Sequence, residues 1–118
     1  MSIQRQLPIN NRMHEINIHN GVVYLAGQVD DDASEGIESQ TRATLANIDK
    51  VLAQAGTDKS RILSVTIYLK DIDAYFQGMN SEWDKWAAEG NAPARATVEA
   101  RLAAPQFLVE MSVIAALP

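Results

Sequence analysis

The spacing of apolar residues changes four times along the chain. They alternate with polar ones around Ile16 and Ile18 and run from Val22 to Val29 after Asn20-Gly21. They then recur at three- and four-residue steps through Ile37, Thr41, Leu45, Ile48, Leu52 and Ala55. A period of two marks strands, and Asn-Gly between two such stretches marks a hairpin. The wider step draws one stripe along an amphipathic helix that Gly56 stops. Ile62 to Leu69 is β-branched and alternating, which predicts a strand. Asp71 or Asp73 caps a second helix, in which Ile72, Phe76, Met79, Trp83 and Ala87 form the core stripe until Gly90. Pro93 to Arg101 and Phe107 to Ala115 read as two final strands. The order is β-β-α-β-α-β-β, an α+β pattern in one domain over residues 1–118, without repeat, linker or low-complexity segment.

Two charges interrupt the final strands. Arg95 opens the first just after Pro93, and Glu110 lies in the otherwise apolar second. Paired as an antiparallel hairpin, the two strands would set Arg95 and Glu110 opposite each other or one diagonal step apart. An unpaired charge there costs several kcal/mol, so Glu110 calls for a partner, water or a ligand held between the two. The last strand is apolar at nearly every position, as if covered on both faces, yet the helices can cover only one. A second copy of the chain is the expected cover, making a homo-oligomer with its pocket at the seam.

Composition narrows the field by exclusion. A chain of 118 residues with 47% hydrophobic content fits one modest core. The absence of cysteine removes disulfides, thiolate nucleophiles and cysteine metal sites, and suits a reducing cytosol. Neither a signal-peptide h-region nor a membrane-length apolar run is present, so the expectation is a soluble cytoplasmic protein. A net charge of -5 disfavours a nucleic-acid partner. His14 and His19, five apart, fit no metal pattern and read as surface residues. No phosphate loop, nucleophile elbow or paired-carboxylate signature appears.

Several segments together carry a family resemblance. They are Asn20-Gly21-Val22-Val23-Tyr24-Leu25-Ala26-Gly27-Gln28, Gln40-Thr41-Arg42, Asn47-Ile48, Ala55-Gly56, Thr66-Ile67-Tyr68-Leu69-Lys70-Asp71-Ile72 and Met79-Asn80. Pro93-Ala94-Arg95-Ala96-Thr97-Val98-Glu99-Ala100-Arg101-Leu102 followed by Val109-Glu110 is the most telling. In order and spacing the chain resembles, over nearly its whole length, the RidA/YjgF-type reactive intermediate deaminases, also called the endoribonuclease L-PSP family. The resemblance implies a chorismate-mutase-like fold with two helices on one face of the sheet, assembled as a homotrimer with clefts between subunits. It implies hydrolysis of 2-imino or enamine acids to 2-oxo acids and ammonia, with no cofactor and no metal. Arg95 would grip the substrate carboxylate, a task suited to planar guanidinium geometry, and Glu110 would position the hydrolytic water. Thr97, Met13, Gly27 and Tyr68 complete the expected substrate site.

Departures from the family pattern fall in the pocket. Where the deaminases carry a motif with an active-site tyrosine, this chain has Arg12-Met13-His14-Glu15, and Met13 stands in the tyrosine's place. The usual Ser-Gly-Gln is Ala26-Gly27-Gln28, and Thr97 occupies a position often held by cysteine. Two readings stay open. One is an imine hydrolase with altered specificity; the other is a small-carboxylate binding or regulatory trimer with little turnover. An endoribonuclease reading gains nothing from an acidic chain without a histidine pair. Arg95 and Glu110 also admit a plain structural role at a subunit interface and Gly27 a β-bulge; Asn80 reads as a helix-surface amide or as a group supporting the site from behind, and Glu99 and Arg101 as a solvated or salt-bridged face. Trp86 would edge an interface or pocket.

Overall fold

The computed structural model describes residues 2–118. Six strands form one mixed sheet, and two helices pack on one of its faces. The strands are β1 (Gln4–Asn10), β2 (Met13–His19), β3 (Val22–Leu25), β4 (Ile62–Leu69), β5 (Ala94–Glu99) and β6 (Val109–Ala116); the helices are α1 (Ile37–Ala55) and α2 (Ile72–Trp86). Across the sheet the order is β1-β2-β3-β6-β4-β5.

Helix α1 covers the expected stripe. Leu45, Ile48 and Leu52 are buried, and Gly56 ends the helix at φ 88°, a left-handed conformation that costs glycine nothing. Asp71 caps α2 by accepting from the Ala74 amide at 3.1 Å, and Glu99 accepts from the Ile72 amide at 3.1 Å. Two carboxylates thus satisfy free donors at the positive end of the helix. Of the α2 stripe, Met79 and Trp83 are core, whereas Phe76 is 39% exposed and lies outside it.

One side of each central strand meets the helices. Val65, Ile67 and Leu69 of β4 and Val109, Met111, Val113 and Ala115 of β6 are buried there with Ile16, Ile18 and Val23. Truncating such a side chain, Met111→Ala for instance, removes about 2–5 kcal/mol of stability. The opposite face carries Ser64, Thr66 and Tyr68 of β4, Glu110, Ser112 and Ile114 of β6, and Tyr24 of β3. No element among the described residues covers it, and these residues stay partly exposed.

Two expectations change. The final strands are not a hairpin: β5 pairs in parallel with β4, and β4 lies between β5 and β6. A further strand, β1, precedes the expected order as the sheet's edge. Gln4–Asn10 is polar, contains Pro8 and is largely exposed, so no alternating apolar signal announces it.

Candidate functional site

The parallel pairing of β4 with β5 decides where the two charges go. Arg95 is the register partner of Val65, and Val65 pairs with Val113, so Arg95 takes the helix-covered face of the sheet. Glu110 pairs with Tyr68 three residues further along, on the open face. Two strand spacings and three residues of rise put their backbones about 14 Å apart, with side chains on opposite faces. The direct or diagonal pairing expected of a hairpin is therefore absent within one chain.

Glu110 sits over a break in the neighbouring strand. After Tyr24 pairs with Ile114, the partner of Met111 is Gln28, so β3 slips by one residue against β6 around Leu25 to Gly27. This is the bulge, and it also brings backbone close to the carboxylate: a Cβ on Gly27 would overlap Glu110 Oε2. Tyr68 flanks Glu110 from the other side. Glu110 is half-buried and, among the described residues, forms no ion pair or side-chain hydrogen bond. Burial pushes its carboxyl above the usual value of 4.5, because desolvation penalises the charged form and no cation offsets it.

On the Gly27 side, a cleft of about 530 Å³ is lined by Met13, Tyr24, Ala26 and Gly27, with Arg5, Arg12 and His14 among its polar walls. Met13 is 46% exposed at the start of β2. Two residues on, Glu15 accepts from Gln28 Nε2 at 2.9 Å, so the altered motif remains joined to the strand break. On the Tyr68 side, a cavity of about 280 Å³ is lined by Tyr68, Glu110, Ser112 and residues Ala100 to Ala103. Arg101 belongs to this wall. It is exposed, as a solvated face requires, and it is placed at this cavity because the chain leaving β5 crosses the end of β4 to reach β6.

Arg95 has different company. Its guanidinium carbon lies 5.1 Å from the centre of the Trp83 ring, a cation–π contact, and it forms no ion pair among the described residues. Thr97 shares its strand face, and Asn80 lies one helical turn before Trp83 on α2. Thr97 Oγ1 and Asn80 Oδ1 are both buried without a hydrogen-bond partner in the chain. Four other side-chain atoms share this state, on Gln6, His19, Thr41 and Thr44, but only Thr97 and Asn80 lie on the elements that also carry Arg95 and Trp83. Trp86 edges a separate cavity between the helices, where its Nε1 donates to Asp49 Oδ2 at 2.9 Å and Lys59 lies over its ring.

The candidate residues thus fall into two separate clusters. One holds Arg95, Thr97 and Asn80 at the β5 edge; the other holds Glu110, Gly27, Tyr68 and, across the cleft, Met13. Among the described residues no group of three acidic or histidine side chains is placed to hold a metal, and no helix is long and apolar enough to cross a membrane.

Comparison with known proteins agrees with this arrangement of elements. The family model described as endoribonuclease L-PSP matches residues 4–117. A RutC family protein of Haemophilus ducreyi is 47% identical over 112 residues, 95% of each chain. The RutC family protein YoaB of Escherichia coli is 42% identical over 105 residues, 89% of this chain and 90% of that one. The crystal structure of a YjgF family member from Neisseria meningitidis superposes with a TM-score of 0.95 at 40% identity, covering 100% of this chain and 97% of the other. That of a Rid family protein from Yersinia pestis, described as of unknown function, gives 0.86 at 31% identity, covering 98% of this chain and 100% of the other. The chain belongs to the endoribonuclease L-PSP family, the group that also carries the names YjgF, RutC and RidA.

Proposed function

We propose that the protein hydrolyses 2-imino and enamine acids to 2-oxo acids and ammonia, in clefts that two copies of the chain build together. The observation carrying this reading is that Glu110 and Arg95 are both unpaired, yet stand on opposite faces about 14 Å apart at the backbone. One chain cannot bring them together; the β5 edge of one copy set against the Gly27–Glu110 wall of another can. The open sheet face supplies the contact surface, because Ala94, Ala96, Val98, Ser64, Thr66, Ile114 and Tyr24 make it small and weakly polar. A homotrimer closes this heterologous contact into a ring.

The chemistry follows from the two charges. Arg95 takes the substrate carboxylate bidentately, with Thr97 and Asn80 offering further polar atoms. Water adds to the carbon of the protonated C=N bond while Glu110 accepts one water proton. Glu110 returns that proton to nitrogen, then takes the carbinolamine hydroxyl proton as the C–N bond breaks with its electron pair going to nitrogen; ammonia leaves, collects this proton from Glu110, and the products are the 2-oxo acid and ammonium. A carboxylate made more basic by burial suits the first step. Because imines also hydrolyse unaided, orientation of substrate and water supplies most of the acceleration.

A second reading, a small-carboxylate binding or regulatory trimer, draws support from Met13 and Ala26, which place no hydroxyl where the resembling deaminases have two. Coupling the purified protein to an amino-acid oxidase that releases imino acids decides between the two. Hydrolase action is expected to shorten the imine lifetime in proportion to protein concentration. An unchanged lifetime, with a 2-oxo acid still bound, supports the binding reading instead.

A further inference from the structure

We propose that Arg101 is a specificity residue that selects substrates bearing a second carboxylate, the 2-imino dicarboxylic acids; this rests on the imine-hydrolase reading given above. The cavity of about 280 Å³ that begins at Glu110 is bounded by Tyr68, Ser112, Leu102 and Arg101. A substrate whose reacting carbon lies against Glu110 and whose carboxylate points to Arg95 of another copy extends its side chain either toward Met13 or into this cavity. Both directions meet a cation and a phenol, Arg5, Arg12 and Tyr24 toward Met13 and Arg101 and Tyr68 in this cavity; only this cavity is lined by Glu110 itself and adds the Ser112 hydroxyl, so a side chain leaving the reacting carbon enters it directly, and the set matches a distal carboxylate.

Arg101 is free to take that role. It forms no ion pair among the described residues, and the nearby carboxylates and cation are otherwise accounted for. Glu99, two residues before it, accepts from the Ile72 amide; Lys70, on the adjoining cavity that Arg101 also lines, donates to the Pro105 carbonyl at 2.6 Å. Glu110 does not neutralise it either, since burial alone moves the Glu110 carboxyl. The position follows from topology: the strand order places β4 between β5 and β6, so the loop from Ala100 to Leu108 crosses the end of β4 and carries Arg101 past Tyr68. Arg101 and Glu110 thereby line one cavity.

The test compares imines of equal chain length, 2-iminoglutarate and 2-iminopentanoate, generated by oxidases acting on the corresponding amino acids. The intact wild-type assembly is expected to favour the dicarboxylate in kcat/KM, and Arg101→Gln to lower the dicarboxylate-to-monocarboxylate ratio about tenfold, the worth of one charge-assisted hydrogen bond. Arg101→Lys should restore part of the ratio, and added salt should erode it in wild type more than in Arg101→Gln. A ratio unmoved by either substitution, or both rates falling together, overturns the role of Arg101 while leaving imine hydrolysis standing. If neither imine is hydrolysed faster than in free solution, the hydrolase reading falls and this inference with it. Circular dichroism and assembly mass of each variant separate loss of selectivity from loss of fold.

Discussion

Glu110 and Gly27 form the tightest steric relation in the candidate site. A methyl group on Gly27 would overlap the far end of the Glu110 side chain, which can swing aside, rather than backbone. Gly27→Ala is therefore expected to fold with little change in Tm while imine hydrolysis falls at least about tenfold, because the carboxylate leaves its place. Full activity in that variant would remove Glu110 from the chemistry. Titration gives a second check. Because burial raises the Glu110 carboxyl above 4.5, its contribution to stability is present below the unfolded value and lost as pH rises through the folded one. Glu110→Gln should thus stabilise the fold more at pH 7 than at pH 4 in denaturant titrations, and the acid limb of wild-type kcat/KM should lie above 4.5. Arg95→Lys keeps the charge and loses the fork, so most activity should vanish with circular dichroism unchanged. Arg95 and Glu110 could be picked out from sequence because a lone charge among apolar strand residues is conspicuous. Arg101 and Asn80 could not, since a cation after a strand and an amide on a helix look the same whether or not a cavity or a buried seam receives them.

Elements were legible where periodicity and end signals coincide. Helix α1 runs from Ile37 to Ala55 and stops at Gly56 because stripe and glycine agree, and α2 begins at the Asp71 cap. Strand pairing was another matter. Two β-rich stretches joined by a short loop suggest a hairpin, but residues Ala100 to Leu108 are long enough to step over β4, whose alternating surface offers β5 a parallel partner on one side and β6 an antiparallel one on the other. That loop is held by Gln40. It is 2% exposed, donates to the Ser34 and Gln106 carbonyls at 3.0 Å each, and accepts from the Leu108 amide at 2.9 Å. A single amide thereby ties the acidic loop before α1 to the segment entering β6, just ahead of Glu110. Gln40→Ala removes three part-buried hydrogen bonds to backbone groups, so a loss of roughly 1–3 kcal/mol is expected, seen as a Tm drop on the order of 10 °C. A change under about 2 °C would mean that water replaces these bonds and that the loop is held by other contacts.

At the scale of the whole molecule, one sheet face is packed and the other is not. The helices bury the alternating residues of β4 and β6, and the reverse face leaves Tyr24, Ile114 and Val98 partly open, with small side chains between them. This asymmetry was legible in the sequence as a last strand too apolar for a single layer of helices. The direction of assembly was not, because it depends on which strand forms the edge. With β5 at that edge, the proposed shared cleft takes Arg95 from one copy and Glu110 from the next. Light scattering is expected to give three times the chain mass, and Ile114→Lys, placing a charge on the open face, to give folded monomers without activity. A stronger test needs no new interface. Arg95→Ala and Glu110→Ala are each expected to be inactive, yet when co-refolded in equal amounts they should regain about a quarter of wild-type activity. A shared site works when its arginine comes from a Glu110→Ala chain and its glutamate from an Arg95→Ala chain, each an even choice in a randomly assembled ring. If each site lay within one chain, no mixture could contain an intact one. Zero recovery from a mixture whose subunits are shown by mass spectrometry to have exchanged would therefore place both charges outside a shared cleft.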